Sequence, residues 1–281
     1  MAARPPPVTV DAACRALGER LGSVSEQVCV NAGLLATHGL GEGTSVRGQP
    51  LLYRDYAPKS QRGRPRRVLP LGGIHGDEFS AVSVVFQWMQ RIDSERFQPF
   101  EWRVIPCANP DGLLAQPATR VNADGVDLNR KFPTADWKAD ALNYWEKKTR
   151  SDPRRYPGKS ALSEPETRWL LEQIEQFKPD AIVSVHAPYG VLDYDGPDEP
   201  PARFGYLQHL HQLGTYLGSL GNFVGVNLGL PVITLELPHA GIMPTPQQSQ
   251  RIWADMMTWL QHNMPEQPPA QLGHSAAEPG R

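Results

Sequence analysis

Short apolar runs alternate along the chain with longer segments in which apolar residues recur at helical spacing. The runs that predict strands are Val28–Val30, Leu51–Tyr53, Val68–Ile74, Trp102–Pro106, Asp180–Val185 and Pro231–Leu237. The segments that predict helices are Val8–Leu21, Phe79–Arg91, Ser163–Phe177, Phe204–Leu217 and Ile252–Leu260. Strands that stay apolar along their length are typical of a sheet with helices on both faces. We therefore predict a three-layer α/β fold with a mixed, largely parallel central sheet.

Local motifs refine this prediction. The S-x-x-E pattern of Ser163–Glu166 predicts a capping box at the start of a helix, and Asn109–Gly112 (NPDG) predicts a turn. The polar and aromatic stretch Ala135–Arg155 predicts a helix and loop at the rim. Residues 264–281 are rich in Pro, Gln, Ala and Gly and predict a disordered tail. We expect residues 1–263 to form a single domain, with residues 1–42 leading into it.

The composition excludes some classes of partner. The chain has 28 basic and 30 acidic residues, so no excess charge indicates nucleic acid or an anionic membrane as a partner. No segment reaches the ~20 apolar residues that span a bilayer, and none resembles a signal peptide. The three cysteines, Cys14, Cys29 and Cys107, are scattered and form no C-x-x-C pair. We therefore expect reduced thiols and a cytoplasmic protein. The oligomeric state is not predicted.

Polar side chains follow the strongest predicted strands at or near their carboxyl ends. They are His75 and Glu78, Asn109, His186 and Glu236. In open α/β sheets the ligand crevice lies outside the carboxyl ends of the strands. We therefore expect residues from four separate strands to meet at one site.

His75, Glu78 and His186 form a set of nitrogen and oxygen donors suited to catalytic zinc, which usually takes three protein ligands and a water. Glu236 is placed to accept a proton from that water. A different interpretation is open for the first pair, because acidic residues also favour helix N-termini and Glu78 precedes a predicted helix. The glycines before His75 and the second histidine at a strand end favour the metal.

The segment Arg120–Arg130 carries a second set of polar candidates. Asn129 and Arg130 could hold a substrate carboxylate, since a guanidinium offers two parallel donors. Arg120 could stabilise an oxyanion, and Asp127 could accept the second N–H of a metal-bound imidazole. The alternative is a polar loop whose arginines make surface ion pairs.

Five motifs in the same order resemble the zinc carboxypeptidase family across roughly Gly43–Leu260. The motifs are HGDE at 75–78, NPDG at 109–112, GVDLNR at 125–130, VSVHAP at 183–188 and LELP at 235–238. The resemblance implies that residues 1–263 are one catalytic domain that binds one zinc ion. It implies zinc ligation by His75, Glu78 and His186, a general base at Glu236, an oxyanion contact at Arg120, carboxylate binding at Asn129 and Arg130, and orientation of the first histidine by Asp127.

Within the family, the motifs are most similar to bacterial murein peptide amidases, which implies cleavage between γ-D-glutamate and meso-diaminopimelate in cell-wall peptides. A second hypothesis is a deacylase of N-acyl amino acids, of the aspartoacylase or succinylglutamate desuccinylase type. A third is a binding module without turnover. The NPDG turn and the GTSVRGQPL segment at 43–51 favour the first, and the complete set of ligands and base argues against the third.

Other residues near these motifs are assigned no catalytic role. The spacing of Tyr216 does not match the mobile tyrosine of digestive carboxypeptidases, so we predict core or rim packing. Tyr189 and Asp193 are expected in a rim loop. The region around Leu220 carries no charge, and it predicts no charged specificity pocket.

Overall fold

The computed structural model describes residues 8–22, 26–36, 43–59, 64–135, 137–210 and 215–264. The strands are β1 Leu35–Ala36, β2 Leu52–Tyr56, β3 Arg66–Leu71, β4 Phe100–Val104, β5 Ala181–His186, β6 Val191–Asp195, β7 Arg203–Phe204, β8 Leu207–His209 and β9 Val232–Glu236. The α-helices are α1 Val10–Leu21, α2 Glu26–Asn31, α3 Phe79–Ser94, α4 Pro110–Leu114, α5 Trp137–Lys147, α6 Pro165–Phe177 and α7 Pro246–Asn263. The predicted tail lies outside the described residues except for Met264.

The strands form one open sheet in the order β1-β2-β4-β3-β5-β9-β6-β8-β7. The central strands β4, β3, β5 and β9 pair in parallel, and antiparallel pairs occur toward both edges. The mixed sheet is therefore confirmed, with its parallel pairings concentrated in the centre. Crossover connections of parallel strands bring their carboxyl ends to the same edge, and this edge carries the candidate site.

Side chains of the central strands are divided between two apolar cores. Val183 and Val185 of β5 pack in a core shared with α1, α3 and α7, whereas Ile182 packs in a core shared with α6. Neighbouring residues of a strand point to opposite faces, so each buried strand supplies both cores. The three-layer arrangement predicted from apolar strands is confirmed.

The pairing register aligns polar residues of three strands on one face. In the β5–β9 pair His186 lies opposite Glu236 and Ser184 lies opposite Thr234. In the β9–β6 pair Asp193 lies opposite Thr234. Residues that are opposite one another in a sheet point to the same side, so these side chains share one face.

The N-terminal region differs from the prediction in two ways. Val28–Val30, predicted as a strand, lies in helix α2, because a three-residue apolar run does not distinguish a strand from a buried helical turn. Cys14 and Cys29, expected as free thiols, form a disulfide that joins α1 to α2. Two cysteines that are 15 residues apart form no recognisable disulfide motif in the sequence, but the packing of the two helices brings the sulfurs together. Cys107 is a buried free thiol, as expected.

The predicted helix Phe204–Leu217 is also wrong over its described part. Strands β7 and β8 form a hairpin there, with Phe204 paired to Leu207. Gly205 has a φ of 59°, which suits a two-residue hairpin turn. Residues 211–214 lie outside the described part of the chain.

Two local motifs have other roles than predicted. Glu164, one residue after Ser163, is the N-cap of α6, and no side-chain capping bond forms there. Glu166 is instead buried and accepts hydrogen bonds from the Val46 amide and the Asn122 side chain. The NPDG segment begins the short helix α4, where the Asn109 side chain caps Gly112 N–H.

None of the helices in the described ranges combines the length and the apolar character that crossing a lipid bilayer requires.

Candidate active site

Three donor atoms from the β3–α3 turn and the end of β5 converge on one point. His75 Nδ1 lies 2.8 Å from Glu78 Oε1 and 3.2 Å from His186 Nδ1. His186 Nδ1 lies 3.2 Å from Glu78 Oε2. All three side chains are buried. Within the described chain, this is the one group of three such residues with the spacing of metal ligands.

The second nitrogen of each imidazole ring has its own partner. His75 Nε2 lies 3.2 Å from Asp127 Oδ1, and His186 Nε2 lies 2.9 Å from Ser184 Oγ. These contacts orient both rings so that Nδ1 faces the common point, which is how partners behind metal-binding histidines act. The Asp127 contact agrees with the role predicted for it. Ser184 was not predicted, although its position two residues before His186 in one strand puts both on the same face.

The donor set fits a divalent ion such as zinc. Two ligands at ~2.0–2.1 Å from a tetrahedral ion lie ~3.3 Å apart, close to the donor separations of 2.8 and 3.2 Å found here. Two imidazole nitrogens with lone pairs directed at each other repel unless a proton or a cation lies between them. Glu78 adds a negative charge at the same point, so the site favours a cation.

Close backbone packing holds the turn that carries His75 and Glu78. An added Cβ on Gly76 would lie 2.2 Å from the carbonyl carbon of Gly112, so a side chain at Gly76 cannot be accommodated. The Asn109 side chain donates to Arg120 O, and so ties the NPDG helix to the segment that carries Arg120. Asn109 is therefore a structural residue of the site.

Arg120 lies beside the donor cluster and is paired with buried acids. Its Nε donates to Asp127 Oδ2 at 3.0 Å, and its guanidinium lies 3.7 Å from Glu78 Oε1. Burial by itself raises the pKa of Asp127, but the charges of Arg120, Arg130 and His75 together outweigh it and hold that pKa well below its usual range. Asp127 is therefore ionised and can accept from both His75 and Arg120.

Glu236 lies on the strand next to the one that ends in His186. Its Oε2 atom is buried and has no hydrogen-bond partner among the described residues. Burial raises the pKa of Glu236, and the nearby His186 opposes that rise. A carboxylate with a free, buried oxygen and a raised pKa is suited to exchange protons with a bound water.

Arg130 and Asn129 lie on the same side of the cavity. Arg130 is buried, its guanidinium stacks on the Tyr216 ring at 4.5 Å, and no carboxylate of the described chain lies within 4 Å of it. Burial lowers the pKa of Arg130. Asn129 Oδ1 accepts from Leu220 N, which leaves its NH₂ group for another acceptor. Trp137 of α5 donates to Arg130 O, so the predicted rim helix supports this wall.

One cavity of about 300 Å³ connects these groups. His75, His186, Arg120, Asn129, Arg130 and Glu236 all line it. Of the three candidate ligands Glu78 lies behind the surface of the cavity, as does Asp127. The residues predicted from separate strands are therefore gathered at one place.

The cavity also contains residues that were predicted elsewhere. Asp193 is in strand β6 and lines the cavity with Asp195, so its assignment to a rim loop is wrong. The cavity therefore carries acidic side chains, although the sequence around Leu220 contains none. Leu220 is buried in the core, whereas Asp193 and Asp195 reach the cavity from strand β6. Tyr216 and Tyr189 line the cavity as well.

Comparison with known proteins identifies similar sequences and structures. A family model described as zinc carboxypeptidase matches residues 37–214. Murein peptide amidase A of Escherichia coli K12 is 31% identical over 223 residues, covering 77% of this chain and 88% of that protein. Murein peptide amidase A of Vibrio campbellii is 33% identical over 202 residues, covering 70% and 77%. The crystal structure of murein-tripeptide amidase MpaA from Escherichia coli O157 is 29% identical, with a TM-score of 0.55, and covers 77% of this chain and 89% of that one.

Proposed function

The chain belongs to the zinc carboxypeptidase family, and on this premise we propose that it hydrolyses an amide bond next to a residue with a free carboxylate. The proposed bond joins γ-D-glutamate to meso-diaminopimelate in murein peptides. The observation that carries this proposal is the convergence of the His75, Glu78 and His186 donor atoms in a cavity shared with Glu236 and Arg130.

His75, Glu78 and His186 would hold one zinc ion per chain, with Asp127 and Ser184 orienting the two rings. Zinc in such a site lowers the pKa of water toward ~7 and polarises a carbonyl oxygen. The fit rests on the nitrogen and oxygen donors and their mutual distances.

Glu236 would act as the general base and then as the general acid. Its Oε2, which has no hydrogen-bond partner among the described residues, would take a proton from the attacking water and pass it to the leaving amine. Glu236 would therefore be a carboxylate again at the end of each turnover. The pKa of Glu236 is raised by burial, and this direction supports the double role because it makes the carboxylate a better proton acceptor.

Arg120 would stabilise the negative oxygen that develops on the scissile carbonyl. Its Nε is held by Asp127, and its remaining guanidinium N–H groups are near the donor cluster. Asp127 thus positions Arg120 and His75 together, and a change at Asp127 would disturb both.

Arg130 and the Asn129 NH₂ group would bind the free carboxylate of the substrate. Arg130 is a buried cation on which Asp127 acts only from beyond 4 Å, and a guanidinium without a paired carboxylate favours a bidentate anion. The stacked Tyr216 ring keeps its plane in place.

The substrate class follows from the two named relatives that are murein peptide amidases. The alternative, deacylation of N-acyl amino acids, gains no support from these relatives. The expected cytoplasmic location is opposed by one feature, the Cys14–Cys29 disulfide, because disulfides persist mainly in oxidising compartments.

The test is the Glu236→Gln variant, assayed on L-Ala-γ-D-Glu-meso-diaminopimelate. We expect unchanged zinc content and a loss of kcat of about 10²- to 10⁴-fold, because the variant removes the base and keeps the ligands. Glu199→Gln, at an exposed position, is the matched control. Robust hydrolysis by Glu236→Gln would remove Glu236 from this role. Wild-type hydrolysis of N-acetyl-aspartate or N-succinyl-glutamate in preference to the tripeptide would instead favour the deacylase.

A further inference from the structure

Two acidic side chains of β6 line the same cavity as the donor cluster. Asp193 and Asp195 are two residues apart in the strand, so both point to the face that also carries Thr234 and Glu236. This acidic surface comes from the sheet. The arginines of the cavity, Arg120, Arg130 and Arg155, come from the segment that follows the NPDG helix and not from the sheet.

Asp195 is held in place by its surroundings. It accepts a hydrogen bond from Thr215, and the π-helix Gly221–Asn227 packs directly on it. A Cβ added to Gly221 would lie 1.9 Å from Asp195 Oδ2, and one added to Gly225 would lie 2.4 Å from Asp195 Cβ. Asp195 is therefore a positioning residue that fits the π-helix against β6.

Asp193 is not packed in this way; the Tyr194 backbone N–H and the nearby charges of His186 and Glu236 act on its carboxylate. Within the described chain no cationic side chain lies within 4 Å of Asp193 or Asp195, although both are half-buried. Burial, followed by the charge of Asp195, raises the pKa of Asp193 to about 6. At neutral pH the carboxylate form still prevails, and a cation beside it would relieve the cost of holding two acids together.

The cavity thus separates charges of opposite sign. Within the described residues no carboxylate lies within 4 Å of Arg130, although Asp127 acts on its charge from farther away, and no cationic side chain lies within 4 Å of Asp193, although His186 acts on it from farther away. A volume of about 300 Å³ is at the small end of ligand sites and suits a single amino-acid residue. A complementary ligand carries a carboxylate for Arg130 and a protonated amine for Asp193.

We propose that Asp193, positioned together with Asp195, binds a protonated amine in the side chain of the residue whose carboxylate Arg130 binds. This inference rests on the proposed function and sharpens it, because it selects diamino acids over amino acids with neutral or acidic side chains. Asp193 is then a specificity-determining residue.

The experiment compares two tripeptide substrates on the zinc-loaded enzyme. One ends in meso-diaminopimelate, and the other ends in 2-aminopimelate, in which hydrogen replaces the distal amine. We expect the wild type to favour the first in kcat/KM by about 10- to 100-fold, the range for one hydrogen bond to a charged group. Asp193→Asn should bring the ratio close to one. Asp198→Asn, an exposed change of the same charge just beyond β6, should keep the wild-type ratio.

Calorimetry of free meso-diaminopimelate and free 2-aminopimelate binding gives a readout that does not depend on turnover. Equal kcat/KM for both tripeptides in the wild type, or an equal loss on both in Asp193→Asn, would overturn the inference while hydrolysis itself upholds the proposed function. No hydrolysis of either tripeptide, together with diaminopimelate binding that Asp193→Asn weakens, would reject the proposed function and support the inference. Equal binding of both amino acids without hydrolysis would reject both.

Discussion

Replacing Asp127 by asparagine probes how a buried carboxylate supports the candidate metal site. Asp127 is fully buried, and both of its oxygens accept hydrogen bonds: Oδ1 from His75 Nε2 and Asn129 N, and Oδ2 from Arg120 Nε. An asparagine has one oxygen and one NH₂ group. In either orientation of the amide, therefore, an NH₂ group faces an N–H donor.

The expected magnitude has two parts. Loss of a partner behind a metal-binding histidine typically lowers metal affinity by about 10- to 100-fold, which corresponds to about 1.4–2.7 kcal/mol. In addition, Arg120 loses its closest anion while its side chain is only 17% exposed. Breaking one side of a buried ion pair costs about 3–5 kcal/mol. We expect the metal-free variant to lose stability of that order.

Two assays separate these effects. Competition with a chromophoric chelator measures zinc affinity, and denaturant unfolding of the metal-free protein measures stability. Asp124→Asn is the matched control, because Asp124 lies in the same loop, loses the same charge and is exposed. Its zinc affinity and unfolding midpoint should equal those of the wild type.

Each result refutes a different step. Zinc affinity equal to that of Asp124→Asn would show that Asp127 does not support the metal ligand His75. A free energy of unfolding equal to that of metal-free Asp124→Asn would show that Arg120 and Asp127 do not form a buried ion pair in solution.

Three further changes test other features. Arg130→Ala should lower kcat/KM about 10- to 100-fold for a substrate with a free carboxylate and leave its amidated analogue less affected; equal losses in the two assays would reject the carboxylate contact. Burial raises the pKa of Glu166 from 4.5 to about 7, so the folded state binds a proton more tightly than the unfolded state. The unfolding free energy should therefore fall by about 3 kcal/mol from pH 4.5 to pH 7, and Glu166→Gln should flatten that dependence in denaturant titrations; an unchanged slope would contradict it. Replacing Cys14 and Cys29 by serine should cost about 3 kcal/mol for a loop of 15 residues, and thermal melts with and without reductant check this; wild-type melts that coincide would exclude the disulfide.

The convergence of His75, His186 and Glu236 was predictable because each follows or ends an apolar strand. Buried parallel strands are recognised by their uninterrupted apolar character, and their carboxyl ends meet at one edge of the sheet. The sequence alone therefore predicted that these three residues lie close together in the folded chain. Arg120 and Arg130 were candidates for their chemistry and for the family resemblance, and the structure lines the cavity with both.

Residues outside apolar runs escaped prediction for physical reasons. Strand β6 is interrupted by Asp193 and Asp195, so it lacks the uninterrupted apolar run by which the other strands were recognised, and its pairing with β9 places it in the sheet. The β7–β8 hairpin depends on the backbone conformation of Gly205 within a stretch that has helical spacing. The contact of Ser184 with His186 was within reach of prediction, because residues two apart in a strand share a face, but nothing in the apolar pattern distinguishes Ser184 as a partner of the ring.

The pairing of β5 with β9 has a consequence for biosynthesis. Glu236 belongs to the last strand in chain order and is inserted between β5 and β6. A chain that has emerged from the ribosome only as far as β8 already contains His75, Glu78 and His186 but lacks Glu236. The residues of the candidate site are therefore complete only once the last strand has been synthesised and inserted between β5 and β6.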